Sequence, residues 1–180
     1  MELGSCCSSN LWIRAVRIAT LIGACVAHSS EARTAAAQPL TERETLNAAL
    51  FLAGRDAAAV PIVLASEAPA GGANGIQGWT TRGRDGRGER VFLLTTSPAF
   101  QCAMHMKDNF QCRLKLASVI VHEVWHFKHG SNEAEAYGAQ LMFLIGHNAA
   151  LEDIVDVRAS RAQAVAAQKK AVDAARRVAK

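Results

Sequence analysis

The chain has little that would commit it to a membrane interior, to nucleic acid or to a repeat architecture. Its N-terminal apolar stretch, "IATLIGACVA", is only 10 residues long (18–27). A helix needs roughly 20 residues to span a bilayer. Lys plus Arg total 20 and Asp plus Glu 16, a net charge of +4. That excess is too small to argue for a nucleic-acid partner. No segment recurs with a period of about 20 to 50 residues, so solenoids and propellers are not indicated. Cysteine is sparse as well: of five, Cys6, Cys7 and Cys25 fall early and only Cys102 and Cys112 lie in the body. What remains is a chain of 180 residues, half of them apolar, enough for one domain around one modest core.

The first 37 residues differ from the rest. Arg14 and Arg17 lead into the apolar run, and small residues follow through "SSEARTAAAQ". That order reads as a secretory signal peptide, with a cleavage site at Ala35-Ala36-Ala37-Gln38. The expected location is therefore the bacterial periplasm or the exterior. "Ile22-Gly23-Ala24-Cys25" also resembles a lipoprotein box, which would make a lipidated Cys25 a membrane anchor. In an exported domain, Cys102 and Cys112 can close one disulfide. Two buried free thiols are the alternative. A metal site built on Cys102, His105 and Cys112 follows no established spacing.

The body, residues 38–157, reads as α+β. "Thr41-Glu42-Arg43-Glu44" is a capping box, and Leu46, Ala49, Leu50 and Ala53 follow at helical spacing, so a helix is expected over 42–53. Residues 61–65 are short and β-branched, and read as a strand. A Gly-rich antiparallel hairpin is expected next, from residues 76–81 and 90–96 with Asp85-Gly86 in its loop. Residues 97–113 are expected to pass near the site. A helix should run from 114 to about 128 and stop at Gly130. A second, capped by Ser131 or Asn132, should continue to Val157. Residues 158–180 form an Ala-rich tail with seven basic residues and one acid, Asp173. Such a tail is expected to be a solvated helix, with contact to an anionic membrane surface as the other option.

The chemistry concentrates in "SVIVHEVWHFKHGSNEAEAYGAQL", residues 118–141, which carries three of the six histidines. At 3.6 residues per turn, His122 and His126 share a face. Two neutral imidazoles at that spacing can bind one zinc ion, and the adjoining Glu123 can serve as general base. A buried helix face would normally exclude such a triplet, because unpaired buried charge is costly.

With this motif the chain resembles the zincin metallopeptidases. Val124 and Trp125 occupy the uncharged middle positions and Val119, Ile120 and Val121 the apolar approach; Lys128 is a mild departure. The metzincin pattern fails, since His129 and Asn132 stand where a glycine and a third histidine belong. "Glu133-Ala134-Glu135-Ala136" fits the Glu-x-x-Ala form of the gluzincins, with a short spacer similar to that of minigluzincin-like bacterial proteins. The resemblance covers about residues 90 to 145. It implies Zn2+ held by His122, His126 and Glu133, with Glu135 as the alternative ligand. It further implies Glu123 as base toward a metal-activated water and a peptide or protein substrate docked on an edge strand, here "RVFLLTT".

Folding geometry accommodates the short spacer. If the two helices reverse at Gly130, residues 133 to 135 face His126 and 137 to 139 face His122. Tyr137 lies four residues after Glu133, on the same face, where a phenol can donate to an oxyanion; a core tyrosine is the other reading. His129 falls near the turn. Two further functions stay open: a non-catalytic zinc-binding domain of zincin fold, or an interaction protein acting through the basic tail.

Overall fold

The computed structural model describes residues 38–70 and 75–178. The expected leader, with its cleavage site and Cys25, lies outside the described residues. The chain begins with helix α1 (Glu42–Ala53), nucleated as its sequence predicts. The Thr41 hydroxyl accepts from the Glu44 N–H, and the Glu44 carboxylate accepts from the Thr41 N–H at 2.9 Å. A short α2 (Arg55–Ala58) leads to strand β1 (Ile62–Ala65); β2 (Gly78–Arg82) and β3 (Gly88–Leu94) follow. Helices α3 (Pro98–His105), α4 (Phe110–His129), α5 (Glu133–Gly146) and α6 (Leu151–Val178) complete the order.

The three strands form one mixed sheet in the order β1-β3-β2. The expected antiparallel hairpin is present, with Trp79 opposite Phe92 and Thr80 opposite Val91. The sheet as a whole is not antiparallel, however: β1 pairs parallel to β3, Val63 opposite Phe92. Apolar pattern carries no strand direction. The chain between β1 and β2 is long enough to cross the sheet, so β1 could take the far edge of β3 in either sense. As a result "RVFLLTT" is the central strand, with both edges engaged, and cannot be a free substrate edge.

The core lies where α1, α3 and the sheet meet α4. Val91 and Leu93 of β3, Phe100 of α3, and Leu116 and Ile120 of α4 are essentially inaccessible. Two elements differ from expectation. Residues 97–113 contain a helix, α3: Ser97 caps it by accepting from Phe100 N–H, and Pro98 sits at its first turn. A bridge from Cys102 to Cys112 joins α3 to the first turn of α4, with Cα atoms 5.3 Å apart. The second deviation concerns the helix expected to reach Val157. It ends at Gly146, because Asn148 takes φ 52° and turns the chain. Gln111 Oε1 then accepts from Ala150 N–H at 3.0 Å, anchoring the start of α6. Arg158 onward continues that same helix.

Candidate metal centre

α4 ends at Gly130, whose φ of 120° lies where L side chains are strained. That glycine lets the chain reverse at once. Asn132 then starts α5 by accepting from Glu135 N–H at 3.4 Å, so Glu133 enters on the first turn beside the end of α4. Its carboxylate lies 3.4 Å from His122 Nε2 and 3.2 Å from His126 Nε2. The two Nε2 atoms are 3.2 Å apart. A tetrahedral ion with bonds of about 2.0–2.1 Å has ligand-to-ligand edges of about 3.3–3.4 Å. The three donors therefore have the spacing of one face of such a site, and together they can hold a metal ion.

The protonation pattern fits a cation as well. His126 Nδ1 donates to Gly130 O at 2.7 Å. In its neutral form a ring that donates from Nδ1 presents a lone pair at Nε2, the usual outer support of a metal-binding imidazole, and in its protonated form it donates from Nε2 to Glu133 instead. His122 Nδ1 is buried and has no hydrogen-bond partner among the described residues. Both imidazoles are buried, whereas the Glu133 side chain is 57% exposed. Hydrogen bonds to His122 and His126 hold the Glu133 carboxyl well below the usual carboxylate range. His126 is pulled two ways. Burial lowers its pKa, but the bonds to Glu133 and Gly130 raise it, and the net shift is upward. Two ring nitrogens and a carboxylate this close need a positive charge among them.

Glu123 lies beside the cluster and is buried. Burial pushes its carboxyl up, against the pull of His122 and of the Thr80 hydrogen bond. Tyr137 meets His122 as the reversal at Gly130 requires, with ring centroids 4.5 Å apart. Burial first, then the Glu133 and Glu123 charges, raise its phenol, so at neutral pH it keeps its proton and remains a donor. Glu135 is exposed and away from the cluster, its N–H spent on Asn132. His129 is exposed, its ring 5.2 Å from that of Trp125. His105 Nε2 is 3.0 Å from Gln101 Oε1, and Cys102 and Cys112 are bonded to each other.

The cluster lines a cleft of about 1340 Å³ together with Gly78 and Thr80 of β2 and Ala164 and Ala167 of α6. Sequence reasoning missed three contributors from β2. Thr80 bonds Glu123, Gly78 packs against it, and Arg82 donates through Nη2 to the His126 carbonyl. Alternation in "GWTTR" marks 78, 80 and 82 as one face, but nothing in it names their partners. The chain matches no protein-family model, no curated protein and no solved structure.

Proposed function

We propose that the chain is a zinc-dependent metallopeptidase with a zincin-like arrangement of sheet, motif helix and ligand helix. One observation carries the reading: a three-donor cluster with tetrahedral spacing stands beside a buried carboxylate and lines an open cleft. A structural metal site has no need of Glu123. His122, His126 and Glu133 would hold the ion. Zinc, when bound, supplies Lewis acidity that brings the pKa of water to about 7.

Glu123, its pKa raised by burial, is suited to take a proton from water and pass it to the leaving amine. Tyr137 offers its O–H to the oxygen on which charge develops. β2 has no strand partner on its outer side among the described residues, so an extended peptide can add there by main-chain hydrogen bonds. The Cys102–Cys112 bridge suits an oxidising compartment and supports an exported location.

Glu123→Gln tests the reading. It should bind zinc as the parent does and lose about 10² to 10⁴ in kcat on a peptide library, because an amide cannot accept the proton. Equal cleavage by the mutant would remove Glu123 from the chemistry. A parent that binds zinc and cleaves nothing in the library would leave a non-catalytic zinc domain.

A further inference from the structure

Glu123 receives its side-chain hydrogen bond from a strand, not from its own helix. Thr80 Oγ1 lies 3.0 Å from Glu123 Oε2 and 3.0 Å from the Glu123 main-chain oxygen. A hydroxyl has one hydrogen and serves one acceptor at a time. Donation to Oε2 fixes that oxygen and leaves Oε1 for the proton. The approach depends on residue 78 lacking a side chain. A Cβ at Gly78 would stand 2.9 Å from Phe92 O, closer than real Cβ contacts come, and 3.0 Å from Glu123 Cγ, which would have to give way.

Strand register adds a second observation. Val91 N–H donates to Pro61 O, on the β1 side, and Leu94 N–H to Gln77 O, on the β2 side. Alternation along β3 then directs residues 90, 92 and 94 toward β2, where their partners are 81, 79 and 77. The main-chain N–H and C=O of Gly78 and Thr80 therefore point to the open edge. Thr80 thus turns its side chain to Glu123 and its backbone to the groove.

We propose that Thr80 is a positioning residue for Glu123, joining peptide pairing on β2 to the orientation of the base. Its kinetic consequence rests on the metallopeptidase reading, whereas the hydrogen bond does not. A peptide paired to the Thr80 backbone restrains β2 and, with it, the hydroxyl that aims the carboxylate.

The test uses the full chain with Thr80→Val, which deletes the hydroxyl and keeps the shape, Thr80→Ser, which retains it, and Thr80→Ala as a second deletion. The 13C signal of the Glu123 carboxyl, assigned by its disappearance in Glu123→Gln, is measured zinc-free and zinc-loaded. It should shift in Val and Ala and return in Ser. On a cleaved peptide, Val should lose roughly 10- to 100-fold in kcat, the usual cost of an outer supporting group. KM and zinc content should stay near parental, and Ser should restore most of the rate. An unmoved carboxyl signal in the deletions, or a kcat loss that Ser does not restore, overturns the proposal. If the parent hydrolyses nothing, the metallopeptidase reading falls, and the carboxyl signal alone still decides whether Thr80 holds Glu123.

Discussion

Helices α4 and α6 are the two longest in the described chain and are built on opposite terms. α4 has 20 residues, of which 11 are buried. α6 has 28, of which only Asp153 is buried. α4 is packed by α1, α3, α5 and the sheet, so it is enclosed on nearly every side. α6 leans chiefly on α5. Polar ties along it include Lys115 Nζ to Asp153 at 2.6 Å and Arg161 Nε to Ala134 O at 3.3 Å. Apart from Asp153, a charge on α6 sits in water and costs almost nothing, so it signals little. Polar groups inside α4 must be compensated or they destabilise the fold. His122, Glu123 and His126 are the costly ones: Glu133 meets both Nε2 atoms, Gly130 O meets His126 Nδ1 and Thr80 meets Glu123, while His122 Nδ1 has no partner among the described residues.

Three measurements would break or sharpen this contrast. The largest effect belongs to the seam between α4 and α5. Glu133→Ala should lose its zinc on dialysis against a mild chelator, by elemental analysis, because two imidazoles alone make a weak site. Glu135→Ala should keep the metal and cost at most about 1 kcal/mol, since the Asn132 cap depends on the residue 135 N–H, which alanine retains. Metal retained by Glu133→Ala and lost by Glu135→Ala would reverse the ligand assignment.

Next comes packing. Ile120→Ala at the inaccessible centre of α4 should lose about 2–5 kcal/mol in urea unfolding. Val165→Ala, at a position 49% exposed on α6, should change stability by no more than about 0.5 kcal/mol. Comparable losses at both positions would mean that α6 is as integral to the core as α4.

The smallest informative effect is expected at the one buried position of α6. Asp153→Asn removes a carboxylate that is 9% exposed from a lysine that is 39% exposed. Solvent screening of Lys115 limits the expected loss to about 1 kcal/mol by thermal melting. No change at all would show that the ion pair does not hold α6.

Expectation and structure part company at particular residues. The capping box at Thr41 and the stops at Gly54 and Gly130 are local signals, and each stands where it was read. The helix at 98–105 carries a comparable local signal, Ser97 followed by Pro98, but at eight residues it is too short to show a periodic apolar face. The break after Gly146 was harder to see. It depends on Asn148 adopting a left-handed backbone and on Gln111 capturing Ala150 N–H from another helix. The direction of β1 had no signal, because a four-residue apolar strand pairs either way.

Sequence by itself determined the cluster of His122, His126 and Glu133. Helical pitch puts His122 over His126, and a glycine reversal within a few residues brings Glu133 back to them. All of these steps span fewer than a dozen positions, where covalent connectivity leaves little choice. Only the tertiary structure decided which strand edge faces the cleft, what covers it and what holds Glu123. Thr80 reaches Glu123 across 43 positions of sequence, and the Ala164 and Ala167 lining comes from a helix whose start depends on Gln111. Contacts of that range are set by how whole elements pack, and no short stretch of residues carries a record of its partner.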